Sequence, residues 1–185
     1  MNEEIYQGDY DSHPPTVETD EELGEYLGEM ATQIGWVIIY FNSLESQIAQ
    51  HLRELMLRDA YQDERLDIFL AEMGFQAKVK ALIHLYGHAL AAGQSSLPTG
   101  ELVDLEKALF EAATIRNGYA HADWIGLRAN QHVRVKTRSS RNGVLHRYKM
   151  IDQKVAQSDT DFIDRLRDRV EAVHEIVERG IYGTP

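Results

Sequence analysis

The sequence predicts a mainly α fold, a helical bundle with a C-terminal β-hairpin and a final helix. Three observations carry it. Between Asp20 and about Arg58, apolar residues recur in alternating steps of four and three, at Leu23, Leu27, Met30, Ile34, Val37, Phe41, Leu44 and Ile48. That is the stripe of an amphipathic helix. The segment QHVRVKTRSSRNGVLHRYKMID holds two short alternating runs joined by SSRNG, whose Asn142-Gly143 pair signals a tight turn. From about Asp159 to Arg179 the helical period returns on Phe162, Leu166, Val170, Val173 and Val177.

In order along the chain, residues 1–19 are acidic, carry Pro14 and Pro15, and read as a disordered N-terminal tail. Residues 20–185 read as a single domain. Its first helix is long, with Gly35 as the place for a kink, and Leu52 and Leu55 extend its stripe. Such a length asks for an equally long partner groove within the fold or across a dimer. Asp63 to Met73 reads as a short helix broken by Gly74, Phe75 to Ala92 as another, GQSSLPTGE as a loop, and Gly100 to Tyr119 as a fourth helix. The hairpin is expected at about 132–150 and the last helix at about 159–179, started by a Ser158 or Asp159 cap.

Composition narrows the function. The 185 residues contain no cysteine, which removes disulfides, thiol nucleophiles and cysteine metal clusters. The first residues lack the basic start and apolar run of a signal peptide. No apolar run approaches the about 20 residues of a membrane span. The expectation is a soluble, cytoplasmic protein with no membrane partner. Net charge is −11, which by itself opposes broad affinity for nucleic acid. The charge is uneven, however. From Arg116 to Lys154 nine basic residues meet only Asp123 and Asp152, a local +7 that leaves −18 for the rest. On the first hairpin strand Arg134, Lys136 and Arg138 alternate with Val133, Val135 and Thr137, so one strand face is basic and suits phosphate.

The most informative stretch is ATIRNGYAHADW. Leu102, Leu105, Leu109 and Ala112 form the apolar stripe of their helix, and the next position on it is Arg116. A guanidinium there either emerges into a cleft or interface, or meets an internal carboxylate, for which Glu45 is a candidate. Asn117 and His121 are four apart and share a helical face, whereas Arg116 and His121 are about 140° apart on an ideal helix. The three converge only at a frayed or bent helix end, for which Gly118 is suited.

These residues resemble the HEPN superfamily (higher eukaryotes and prokaryotes nucleotide-binding). RNGYAH has the R-x4-H form, and the order of a long first helix with YFNSLESQIAQHL, a middle helix with FQAKVKALIHL and then the motif helix is similar to that family's bundle. The likeness covers roughly Asp20 to Trp124 and implies a HEPN-like antiparallel helical bundle, with the hairpin and last helix as an extension. It further implies a metal-independent endoribonuclease site made from Arg116 and His121, with Asn117 orienting the histidine, in a homodimer that sets two motifs in one cleft. An imidazole moves protons near neutral pH and a fixed guanidinium stabilises phosphate charge, which is the chemistry such cleavage needs. The expected partners are a second copy of the chain, RNA and a neutralising partner protein. The alternative function is a non-catalytic HEPN-like module that binds nucleotide, RNA or protein. In that case Arg116, Asn117 and His121 tie the helix end to its neighbours, and Tyr119 and Trp124 pack.

No cofactor and no metal are expected. His84 and His88 are four apart on a helix but have no third ligand at a recognisable spacing. His132 and His146 fall on the hairpin, and His13, His51 and His174 belong to no pattern in the sequence. Walker-type loops, nucleophile elbows and dinucleotide fingerprints are all missing.

Overall fold

The computed structural model describes residues 3–7, 19–57, 63–128, 131–141 and 143–183. The protein is mainly helical. Its elements are β1 (Glu3–Gln7), α1 (Asp20–Met56), α2 (Glu64–Glu72), α3 (Phe75–Ala91), α4 (Glu101–Ala120), β2 (Asp123–Arg128), β3 (Gln131–Ser140), β4 (Gly143–Ile151) and α5 (Gln153–Tyr182). No helix among the described residues is long and apolar enough to cross a membrane. The chain gathers into two compact units, one of residues 1–39 and 115–161 and the other of residues 40–114 and 162–185. The divisions fall inside α1, α4 and α5.

The first unit holds an antiparallel four-stranded sheet in the order β1-β4-β3-β2. The expected hairpin is its centre: β3 and β4 pair from Ser140 opposite Gly143 out to His132 opposite Ile151. Of the turn between them, Asn142 lies outside the described residues, and Gly143 has φ +113°, a conformation that favours glycine. Two strands flank the hairpin that the sequence did not announce. β2 follows the motif directly and is irregular between Trp124 and Gly126. Such a break erases the alternation by which a strand is recognised. β1 lies within the stretch expected to be a disordered tail. It pairs along β4 with Glu3 opposite Lys149, an acidic strand covering the open edge of a basic one. The rest of that tail, residues 8–18 with His13, lies outside the described residues.

α5 starts at Gln153, ahead of the expected cap at Ser158 or Asp159. The Val155 N–H donates to Asp152 Oδ1 at 2.7 Å, so Asp152 supplies the cap. Ser158 and Asp159 lie inside the helix, in a polar first stretch that carries little periodic signal.

The second unit is built on helices whose stripes match their spacing. Phe41, Leu44, Ile48 and Leu52 of α1 are buried, as are Val79, Leu82 and Tyr86 of α3, Leu105, Leu109 and Ala112 of α4, and Leu166, Val170 and Val177 of α5. α1 is one continuous helix through Gly35. Asp63 caps α2 by accepting from the Arg65 N–H at 3.1 Å. Contacts between α1 and α5 advance together. Gln47 meets Glu171, His51 meets Glu171 and His174, and Tyr182 donates to the Leu55 carbonyl, so the two helices run in the same direction here. Gly180 permits the end of α5 to press on the loop after α3, because a Cβ there would stand 2.0 Å from the Gln94 carbonyl oxygen.

Candidate functional site

The expected motif occupies the last turn of α4 in the first unit. Arg116 is half-buried, while Asn117 and His121 are exposed. Arg116 Nη1 donates to Asn117 Oδ1 at 3.0 Å, which fixes the guanidinium against its neighbour. The resemblance gives Asn117 the task of orienting the histidine. In the structure its side chain holds the arginine instead, and only backbone joins it to His121, whose N–H donates to the Asn117 carbonyl at 3.2 Å. α4 runs through Gly118 and ends at Ala120, and His121 sits in the turn that follows. Among the described residues, no hydrogen bond joins the His121 side chain to Arg116 or Asn117.

This helix end is anchored from below. Tyr119, 2% exposed, donates its hydroxyl to Asp159 Oδ2 at 2.8 Å, and the Trp124 Nε1–H donates to the Tyr119 carbonyl at 3.4 Å. The two rings pack with centroids 5.8 Å apart. Tyr119 and Trp124 thus act as packing residues that hold the turn between α4 and β2. Glu45, the internal carboxylate considered for Arg116, is engaged elsewhere: Lys78 Nζ donates to its Oε1 at 2.8 Å.

Arg134, Lys136 and Arg138 lie on β3 at the expected alternate positions, and their side chains are outside those described. The register adds what the sequence could not. Arg134 stands opposite Lys149 of β4 on one side and Trp124 of β2 on the other, and Lys136 stands opposite Arg147. Residues directly opposite across a sheet share a face. The basic positions of one strand therefore become a two-strand basic column in the same unit as the motif, one strand removed from its turn.

The sequence missed a second cluster, in the interior of the other unit. His51 and His174 stack with ring centroids 3.7 Å apart and planes 3° from parallel. They are 3% and 2% exposed. His51 Nε2 lies 3.2 Å from Glu171 Oε2, His174 Nδ1 lies 3.1 Å from the Tyr86 hydroxyl, and His174 Nε2 lies 2.9 Å from Glu54 Oε2. Gln47 Nε2 donates to Glu171 Oε2 at 2.7 Å. Burial, then the facing His174, push His51 down to about 4, against the opposing pull of Glu171 and Glu54, so His51 is neutral at pH 7. Burial and the nearby Glu171, Glu54 and Glu178 hold the Tyr86 phenol above its usual range, so it stays protonated. Gln47 and, after it, His51 hold the Glu171 carboxyl below the usual carboxylate range against its partial burial. A sequence signal for this cluster exists. His51 with Glu54, and Glu171 with His174, repeat an i,i+3 histidine–carboxylate pairing beside the buried Leu52 and Val173. By contrast His84 and His88 are exposed on α3.

Compared with known proteins, the chain matches no family model, no curated protein and no solved structure.

Proposed function

We propose that this chain is a cytoplasmic, metal-independent endoribonuclease of HEPN type, in which Arg116, Asn117 and His121 form the site and a homodimer brings two copies to one cleft. The observation that carries this reading is the Arg116–Asn117 hydrogen bond of 3.0 Å beside an exposed His121 at the end of α4. The guanidinium, steadied by the amide, stabilises negative charge on a phosphate. The imidazole, free of side-chain hydrogen bonds among the described residues, transfers protons. The basic column of Arg134, Lys136, Arg147 and Lys149 supplies phosphate contacts along the same unit, with Arg138 extending it on β3.

The test is RNA cleavage in EDTA by the wild type and by His121→Ala, with folding followed by circular dichroism. Cleavage lost only in the variant supports the enzyme. A folded wild type that cuts no RNA in a broad panel but still binds it gives the second reading, a non-catalytic binding module. Light scattering at micromolar concentration should return the mass of two chains. A stable monomer contradicts the shared cleft, because an isologous interface is what pairs the two motifs.

A further inference from the structure

We propose that the His51, Glu54 and His174 side chains form a binding site for one divalent transition-metal ion of zinc type, held between α1 and α5 in the interior of the second unit. One ligand atom from each of the three residues lies within 4.8 Å of the others, and no other group of three such residues among those described is gathered so closely. Two imidazoles and a carboxylate are the donor set that suits zinc, with a fourth position left for water.

The second observation is the pattern of satisfied and unsatisfied nitrogens. Each histidine has one ring nitrogen engaged by an outer partner: Nε2 of His51 by Glu171, and Nδ1 of His174 by the Tyr86 hydroxyl. The other nitrogen of each, His51 Nδ1 and His174 Nε2, is buried without a hydrogen bond. Glu54 Oε2 does stand 2.9 Å from His174 Nε2, but it is not aligned as a hydrogen-bond acceptor. A buried imidazole nitrogen without a partner is costly, and a ligating histidine normally donates its other N–H to a carboxylate or similar acceptor. Glu171 and Tyr86 are placed to be those acceptors, which leaves His51 Nδ1, His174 Nε2 and the Glu54 carboxylate as the ligands. To aim both nitrogens at one ion, the two rings turn out of their stack and close on it. The site joins α1 to α5 and is independent of the ribonuclease reading, which uses none of these residues.

The experiment is titration of untagged, chelator-treated protein with zinc by calorimetry and with cobalt(II) by visible absorption. Wild type should take up one ion per chain and give the intense spectrum of tetrahedral cobalt. Glu54→Gln and His51→Asn should each lose more affinity than the about 10–100-fold expected when an outer partner is removed, the loss expected for Tyr86→Phe. His84→Gln should bind as wild type does. Glu54 is partly exposed, so Glu54→Gln carries the test should His51→Asn fail to fold. A folded wild type that shows neither zinc heat nor a cobalt spectrum overturns the proposal. So does uptake that survives in Glu54→Gln, or uptake that disappears in His84→Gln.

Discussion

His51 of α1 and His174 of α5 stack face to face at 3.7 Å, each with a carboxylate from the opposite helix at its edge: Glu171 at His51 and Glu54 at His174. The crossed arrangement ties two parallel helices at a buried point. It also makes the unit sensitive to acid. His51 has an ordinary value of 6.5 when unfolded and about 4 when folded, so below 6.5 the unfolded chain binds the extra proton. Stability is therefore whole above pH 6.5 and is lost as pH falls towards 4, by up to about 3 kcal/mol. Glu171, held below its usual range, adds to the loss in the same direction at the acid end. Urea unfolding of metal-free protein between pH 7.5 and 4.5 measures this. His51→Gln should flatten the dependence, and a flat wild-type profile contradicts the account.

Lys78 is 8% exposed and its ammonium is matched by Glu45. Removing the acid strands a cation, whereas removing the cation leaves a carboxylate that is 31% exposed and can be hydrated. Glu45→Ala should cost about 1–3 kcal/mol, discounted from a fully buried pair for that solvent access, and Lys78→Met should cost less. Denaturant midpoints of the two variants decide the order. Equal losses would show that the pair is not held as described.

The basic column on β3 and β4 should bind phosphate backbone without reading bases. Neutralising Arg134, Lys136 and Arg138 together should weaken RNA binding on unrelated sequences. It should also flatten the slope of affinity against salt by up to about 2 to 3 units, roughly 0.7 to 0.9 for each phosphate that is no longer neutralised. Adding Arg147→Gln and Lys149→Gln should flatten it further, because these residues stand opposite Lys136 and Arg134. Binding with wild-type affinity and salt slope in the triple variant removes the hairpin from the RNA surface. Titration of affinity against salt makes the measurement.

How far the sequence could be read follows from where its signal lies. The stripe from Met30 through Val37, Phe41 and Leu44 to Ile48 is buried as its period requires, and the Val-rich runs around Asn142-Gly143 are paired strands. Both signals are local, so they survive without knowledge of neighbours. β2 is short and irregular at Trp124 and Gly126, and β1 exists because β4 offers an edge, a fact of pairing that no window of residues 3–7 contains. The start of α5 is hidden because QKVAQSD offers only Val155 and Ala156 as apolar markers, leaving Asp152 as a single capping cue. Arg116, Asn117 and His121 were legible as neighbours on a helix end. That Asn117 would hold the arginine was not, since an adjacent-residue hydrogen bond depends on rotamers. The His51 and His174 stack joins two distant helices, and only their packing places the rings together.

The most direct measurement is single-turnover RNA cleavage in EDTA by the wild type, Arg116→Ala and His121→Ala, each paired with its melting temperature. His121 is exposed and Arg116 half-buried at a helix end, so neither substitution should shift the melting temperature by more than a few degrees, in keeping with surface changes of about 0.5 kcal/mol for His121 and somewhat more for Arg116. Each should instead reduce cleavage by at least about 100-fold, the scale of a lost proton-transfer or charge-stabilising group. A large fall in melting temperature with cleavage per folded molecule unchanged would contradict the assignment and return Arg116 and His121 to a purely structural role.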